Sequence, residues 1–204
     1  MTTDESVALL QSKFKALGYS FFDGRWDLNL IGLRCASDHA DLFDDTYLAV
    51  CRNDAGAWEY HAWPFTSDPG RSWLAKPSRV EGCAIVVPGQ YRGLWKKGLH
   101  KGEKPALVQQ KPVKVWRDAD KDQELDRTGT VVEGLYGINC HRAGKDSASV
   151  DLWSAGCQVF KRESNFLEFL GLVDKQIAAG HGDVFSYTLI DVGDHPDLAP
   201  LLLK

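Results

Sequence analysis

The feature that most constrains the fold is a series of short apolar segments, separated by turn-forming residues, that begins near residue 29. Runs such as Asn53-Asp54-Ala55-Gly56 and Pro88-Gly89 lie between the segments, and Gly, Pro, Asn and Asp at such places favour turns. The predicted strands cover residues 29–35, 46–52, 58–66, 82–87, 113–117, 137–141, 158–160 and 184–190. The pattern therefore predicts a mostly antiparallel β domain.

Two amphipathic segments flank this β region. Apolar residues recur at positions 7, 10, 14 and 17, which predicts a helix over residues 5–17 with Asp4 as its N-cap. A second helix is predicted over residues 165–178, with Ser164 as the start signal before it and Gly180 as the stop signal after it. We expect a mainly β chain of the β-rich α+β class. It forms a single domain over residues 1–204, in which residues 1–25 are an N-terminal helical appendage.

Charge and hydropathy exclude several classes of protein. The chain is 44% hydrophobic and 25% charged, which is typical of a globular protein. Its net charge of −4 argues against nucleic-acid binding, although basic residues between 92 and 104 could contact a small anion. No apolar run is long enough to predict membrane insertion, and the N-terminus lacks the pattern of a signal peptide. We therefore expect synthesis in the cytoplasm.

The five cysteines do not predict a disulfide framework. Their number is odd and no CxxC pair occurs, so Cys35, Cys51, Cys83 and Cys140 are interpreted as small core residues. Cys157 differs because it follows a turn of small residues. No cofactor-binding motif is found, and we expect no cofactor.

Residues 89–104 form a segment rich in Gly and Lys that also contains Tyr91, Trp95 and His100. Its polarity argues against a core element. We predict either a flap that covers a groove, in which Tyr91 and His100 contact substrate, or an ordinary solvated loop.

An alternating acidic run follows, with aspartates at positions 118, 120, 122 and 126. Calcium prefers several carboxylate oxygens, and this run can present them from one loop, so a structural calcium site at Asp118, Asp120, Asp122 and Asp126 is one interpretation. Gln123 and Gly129 stand where a helix–loop–helix calcium loop has its Gly and its Glu. A solvated acidic turn is the alternative.

The most informative segment runs from Gly137 to Phe160. A predicted strand ends at His141, a polar loop follows, and the turn Ser154-Ala155-Gly156 presents Cys157. A nucleophilic cysteine needs a base and backbone N–H groups directed at the developing oxyanion. Strand alternation places Cys140 inward and His141 on the opposite side, where it can face a groove.

Two other interpretations of this segment remain open. Cys140, His141 and Cys157 could bind zinc, although neighbouring strand residues point in opposite directions. Alternatively, His141 could be a hydrogen-bonded structural histidine and Cys157 a core residue.

The segment resembles the signature of the L,D-transpeptidase catalytic domain, which has a strand His, a loop, and then Ser/Thr-His-Gly-Cys. Here His141 precedes Ser154-Ala155-Gly156-Cys157 by the corresponding distance, with Ala155 in place of the second His. The resemblance implies an L,D-transpeptidase-like β-sandwich or barrel over residues 29–204. It also implies that Cys157 is the nucleophile, that His141 is the base, and that Ser154 and Gly156 shape the oxyanion hole.

In that family the backbone carbonyl of the residue after the base, here Arg142, often orients the histidine. We expect Arg142 and Trp153 to contribute to substrate binding, together with Tyr91 and His100. The resemblance further implies that peptidoglycan stem peptides are the substrate.

The Ser-Ala-Gly-Cys form resembles antibacterial effectors and phage lysins of this fold, which act in the periplasm or cell wall after release or delivery. An immunity or secretion partner would accompany such a role. The rival classes are a non-catalytic cell-wall or phage-structural binding module and a generic cysteine amide hydrolase.

Overall fold

The computed structural model describes residues 1–203, and it confirms a β-rich α+β fold. The strands are β1 (Asn29–Arg34), β2 (Asp45–Arg52), β3 (Trp58–Thr66), β4 (Cys83–Val86), β5 (Gly89–His100), β6 (Lys104–Gln109), β7 (Val113–Asp118), β8 (Val132–Gly134), β9 (Cys140–Arg142), β10 (Gln158–Phe160) and β11 (Val184–Asp191). The α-helices are α1 (Thr3–Ala16), α2 (Arg71–Ala75) and α3 (Glu163–Gln176), and short irregular helices cover Asp151–Trp153, Ile177–His181 and Pro196–Leu201. Within residues 1–203, no helix is long and apolar enough to cross a bilayer.

Eight strands close into a barrel in the order β1-β11-β5-β6-β9-β10-β3-β2, and β4, β7 and β8 form a separate antiparallel sheet. Two neighbouring pairs in the barrel are parallel, β1 with β11 and β9 with β10. The β9–β10 pair joins the strand that ends near His141 to the strand that follows Cys157. This pairing brings the two segments side by side.

Aromatic side chains fill the barrel. Tyr47, Phe65, Phe160 and Tyr187 are fully buried, and Phe169 from α3 stacks on Phe160 with ring centroids 5.2 Å apart. The apolar face of α3 thus belongs to the barrel core, where each large aromatic contributes a substantial part of the buried area.

The helix α1 packs on the outer face of the barrel rather than extending away from it. Its residues Val7, Leu10 and Phe14 contact a cluster that includes Ile31 and Leu48 of β1 and β2. Alternate residues of these strands face the interior, so both faces of the strands are buried. The N-cap is Thr2 and not Asp4, because Thr2 and Glu5 form a reciprocal capping box.

Residues 89–104 are not a flap. Most of the segment is β5, which pairs with β11 on one side and with β6 on the other. Leu94 and Trp95 are buried, whereas the Gly and Lys residues lie at partly or fully exposed positions of the strand. The prediction was wrong because exposed polar positions lower the hydropathy of a strand that contributes few core residues.

All five cysteines are free thiols. Cys51, Cys83 and Cys140 are buried, as expected of core residues, whereas Cys35 is half-buried.

A buried polar network connects β1 to the turn after β3. The Arg34 side chain is inaccessible to solvent, and it donates hydrogen bonds to Ser67 Oγ and Val86 O, both at 2.9 Å, and pairs with Asp68 at 3.3 Å. Gln158 of β10 joins the network by donating to Ser67 O at 3.3 Å. The strand that follows Cys157 is therefore fixed by polar contacts on its inner side.

Replacing Arg34 by Met is expected to lower the free energy of unfolding by about 3–5 kcal/mol, because Asp68 and its neighbours lose a buried partner. Chemical denaturation followed by fluorescence measures this change. Lys13→Met is the control, since its ion pair with Asp197 lies at the surface and should be worth about 0.5 kcal/mol. Equal effects of the two changes would contradict a structural role for the network.

Candidate active site

His141 is held in one orientation by its neighbour. Its Nδ1 atom lies 2.9 Å from the backbone oxygen of Arg142, which is the contact that the resemblance predicted. A carbonyl oxygen can only accept, so Nδ1 bears the proton and Nε2 has a free lone pair. The side chain is only 6% exposed, and Nε2 is buried without a hydrogen-bond partner.

His141 is neutral over most of the pH range. Its pKa is lowered to about 4, mainly by burial; the Arg142 carbonyl opposes this shift, and the neighbouring His100, Lys101 and Lys104 add to it. A neutral imidazole with an unpaired Nε2 is suited to accept a proton.

Cys157 lies on the same face of the barrel wall as His141. In the parallel register, Gln158 of β10 is opposite Cys140, and both are buried towards the interior. Strand alternation therefore turns Cys157 and His141 to the other face. Asn139 lies on this face too, because its side chain contacts His100 beside the histidine.

His141 and Cys157 form no hydrogen bond with each other, because His141 Nε2 has no partner. The Cys157 thiol donates instead to the Gly137 carbonyl oxygen at 3.4 Å. Burial raises the pKa of the Cys157 thiol, an effect that the Asn139 backbone N–H and the charge of Lys101 partly oppose. The pair at rest is thus a neutral thiol and a neutral imidazole.

The turn before Cys157 is fixed by Ser154. The Ser154 hydroxyl donates to the Cys157 carbonyl oxygen at 2.9 Å and accepts from the Gly156 N–H at 3.1 Å. The N–H of Gly156 is therefore engaged and is not free to donate to an oxyanion in this conformation. Ser154 and Gly156 act as positioning residues for the cysteine.

Glycine is required at position 156 for two reasons. Its φ is 123°, in a region that L side chains rarely adopt, and a Cβ atom would lie 2.1 Å from the Ala84 carbonyl oxygen of β4. The turn thus packs directly against the smaller sheet.

Gly156→Ala is expected to lower the free energy of unfolding by about 2–4 kcal/mol, because backbone must move to admit the methyl group. Gly56→Ala is the control, since Gly56 also has a positive φ (76°) but no atom within 4 Å of its added Cβ, and should cost about 1 kcal/mol. Denaturation curves that place Gly156→Ala at or below the cost of Gly56→Ala would contradict the close packing.

A cavity of about 260 Å³ opens beside His141. It is lined by His100, Lys101, Glu103, Lys104, His141, Arg142, Leu152 and Trp153. The structure thus brings together three of the four residues predicted to bind substrate, His100, Arg142 and Trp153.

Tyr91 is not among the residues that line the cavity. Its hydroxyl donates to the Val87 carbonyl oxygen at 2.5 Å, near the start of β5. His100 lies at the other end of that strand, and the nine intervening steps span about 30 Å at 3.3 Å per residue. The prediction that Tyr91 and His100 both contact substrate was wrong, because the segment is an extended strand that holds the two side chains far apart.

His100 is fixed against the candidate base. Its ring stacks on His141 with centroids 4.2 Å apart, and its Nδ1 lies 3.1 Å from the Asn139 side-chain nitrogen. Burial lowers the pKa of His100, so this ring also favours the neutral form. Stacking keeps the His141 ring at the edge of the cavity.

The remaining cavity residues come from two places; the sequence had indicated only the basic residues between 92 and 104, as possible contacts of a small anion. Lys101, Glu103 and Lys104 lie at the turn between β5 and β6, and Leu152 belongs to the short helix before the cysteine turn. The Lys104 ammonium lies 5.9 Å from the centre of the Trp153 ring, which connects the two segments. Recognising that β5 and β6 form a hairpin would have placed the residues between these strands next to His100.

Arg142 has partners of its own. Its guanidinium pairs with Glu163 at 2.8 Å and donates to the Ala143 carbonyl oxygen at 2.9 Å. The unpaired cations at the cavity are therefore those of the β5–β6 turn, since neither Lys101 nor Lys104 forms an ion pair within residues 1–203.

The two metal-binding interpretations have different outcomes. Across residues 1–203, the single group of three potential ligands close enough to share an ion is Asp118, Asp120 and Asp126. Asp122 lies outside this group, and its carboxylate accepts the Glu124 N–H. The zinc interpretation does not fit, since Cys140 is buried inside the barrel and faces away from His141.

Comparison of the chain with family models, with curated proteins and with solved structures found no match in any of the three.

Proposed function

We propose that this protein is a cysteine-dependent enzyme that processes peptidoglycan stem peptides through an acyl-enzyme on Cys157. The supporting observation is the orientation of His141: its Nδ1–H is bound to the Arg142 carbonyl, and its buried, unpaired Nε2 is on the same face of the barrel wall as the cysteine. A structural histidine normally uses both nitrogens when it is buried. An unpaired Nε2 beside a cavity is typical of a general base.

The first half-reaction begins from the neutral pair. As the Cys157 thiol turns away from Gly137 O, its proton passes to His141 Nε2 while Sγ attacks the carbonyl carbon at the L-centre of the stem. The tetrahedral intermediate then collapses, the C–N bond to the D-residue breaks, and the leaving amine takes the proton from the imidazolium. The product is a thioester on Cys157.

The second half-reaction consumes the thioester. Water or a second amine attacks the carbonyl, His141 accepts its proton, and Cys157 leaves as the thiol. Water gives an L,D-carboxypeptidase or endopeptidase, and an amine gives an L,D-transpeptidase. Both outcomes use the same residues.

The composition of the cavity supports a substrate that has carboxylates and aliphatic parts. Lys101 and Lys104 offer charge at the β5–β6 turn, while Leu152 and Trp153 form an apolar wall. Lys101 lines the cavity, and its positive charge lowers the pKa of the Cys157 thiol. It is therefore also a candidate to stabilise the oxyanion. Stem peptides have this combination of groups.

Such an enzyme would act in the periplasm or cell wall. Among enzymes of that kind, a phage lysin or an interbacterial effector fits the Ser154-Ala155-Gly156-Cys157 turn that the sequence presents. A dedicated immunity or secretion partner is part of this proposal.

A second candidate is a cell-wall or phage-structural binding module with an inert cysteine. It is favoured by the raised pKa of Cys157, by the engaged Gly156 N–H and by the thiol's contact with Gly137 O. A generic cysteine amide hydrolase is the third, because the proposed chemistry alone does not select an L,D junction.

One experiment separates the three. The purified protein is incubated with a defined tetrapeptide stem that ends in D-Ala, and with the same peptide ending in L-Ala, and the products are read by mass spectrometry. We expect cleavage of the D-isomer only, because inversion of the leaving residue moves its nitrogen out of line. Equal cleavage of both peptides would indicate the generic hydrolase, and retention on purified cell wall without cleavage would indicate the binding module.

A further inference from the structure

The acidic segment that follows β7 gathers three carboxylates at one point. Asp118 is the last residue of β7, and Asp120 and Asp126 belong to the loop beyond it. One oxygen from each lies within 4.8 Å of the others. Oxygens that contact one calcium ion at 2.3–2.6 Å are at most about 5 Å apart, so a single ion can reach all three.

Asp118 provides the independent reason to expect a ligand. Its side chain is 1% exposed, and its Oδ1 atom is buried with no hydrogen-bond partner, whereas Oδ2 accepts the Asp126 N–H at 3.0 Å. A buried carboxylate oxygen without a donor is costly unless it is compensated. A cation in the centre of the trio would supply that compensation.

No basic side chain neutralises these three carboxylates within residues 1–203. Within residues 1–203, no ion pair involves Asp118, Asp120 or Asp126. Arg127 follows the loop but turns to Asp68, with a 2.8 Å contact, and Arg117 donates to the Gly82 carbonyl oxygen. Three negative charges thus converge without a protein counter-ion.

We propose that Asp118, Asp120 and Asp126 bind a calcium ion. The donors are all oxygens, which excludes a preference for zinc, and they lie on an irregular loop in which Lys121 and Gln123 have positive φ. Calcium accepts six to eight oxygens in flexible geometry, whereas magnesium requires near-octahedral contacts and retains its waters. Water and backbone carbonyls complete the coordination.

The ion would fasten the loop to the structure around the candidate active site. Leu125 of the loop packs with Cys83 and Ile85 of β4, and Arg127 pairs with Asp68 in the turn after β3. Calcium therefore stabilises the native state by binding it in preference to the unfolded chain. This inference does not depend on the proposed catalytic activity.

The test uses the full chain after treatment with EDTA. Calcium is titrated in by calorimetry, and thermal unfolding is followed with and without the ion. We expect saturable binding at one site and a rise in Tm of about 5 °C at saturation. Magnesium at the same concentration should give less than half that rise.

Matched variants of one loop complete the design. Asp120→Asn and Asp126→Asn change exposed members of the trio, so they should fold normally and lose the calcium-dependent rise in Tm. Asp122→Asn removes the same charge from the same loop but lies outside the trio, and it should keep the rise. The inference is overturned if wild type shows no saturable rise, if Asp122→Asn loses it too, if the trio variants retain it, or if magnesium matches calcium.

Discussion

Replacing Cys157 by Ala is expected to abolish turnover of the stem peptide, with a loss in kcat of at least about 10³-fold. The side chain is half-buried at a turn, and alanine retains the Cβ atom without the thiol, so the fold should persist. The free energy of unfolding should therefore change by no more than about 1 kcal/mol. Steady-state kinetics with the D-Ala tetrapeptide, together with a denaturation curve, measure both quantities.

The other cysteines provide the control within one residue type. Cys83 and Cys140 are buried in apolar clusters, so their change to Ser should reduce stability while activity per folded molecule remains. Cys35→Ser, at another half-buried position, should leave activity unchanged. If Cys157→Ala keeps wild-type cleavage, or if every cysteine variant loses activity only through unfolding, Cys157 is not the nucleophile.

His141→Gln is expected to reduce kcat nearly as much as loss of the cysteine, because the two side chains act on the same proton. For the same reason, the double variant with Cys157→Ala should be no slower than either single variant, rather than showing the product of both losses. His61→Gln is the matched control, since His61 is a half-buried histidine that pairs with Glu59 and Glu168, and it should retain full turnover.

The pH dependence follows from the same histidine. With a pKa of about 4, His141 is neutral and able to accept a proton down to mildly acidic pH, so the acidic limb of kcat/KM should lie well below that of an ordinary histidine. The same pKa also affects stability. In the unfolded chain His141 binds a proton below about pH 6.5, whereas in the folded protein it does so only near pH 4. The free energy of unfolding should therefore fall as the pH is lowered from about 6.5 to 4. His141→Gln should remove that contribution. An acidic limb near pH 6.5 would contradict the burial of the base.

The sequence predicted the barrel strands best where apolar residues are dense. The bounds of β3 and β10 agree with their predictions, and β2 differs by one residue at its start. In contrast, the sequence predicts a flap or a solvated loop where β5 lies, because only Leu94 and Trp95 are deeply buried along its length. A closed barrel needs such strands for their backbone hydrogen bonds, and hydropathy does not record that requirement.

In the candidate site, too, some features could be predicted from the sequence and others depend on the tertiary structure. Local chemistry indicated His141 and Cys157 as candidates, which stays a prediction, and strand alternation predicted that Cys140 points away from His141. Tyr91 was misplaced because its distance from His100 depends on an extended strand. The engaged Gly156 N–H depends on where the Ser154 hydroxyl points, and this is decided by tertiary packing.

The most direct test of the central claim is the detection of the acyl-enzyme. Wild type is mixed with the D-Ala tetrapeptide, quenched in acid at short times and examined by intact-mass and peptide-mapping mass spectrometry. The account predicts a mass increase equal to the mass of the tetrapeptide minus the mass of free D-Ala, located on the peptide that contains Cys157 and absent from Cys157→Ala. Cleaved substrate with no adduct on wild type at any time, or an adduct that persists in Cys157→Ala, would contradict it.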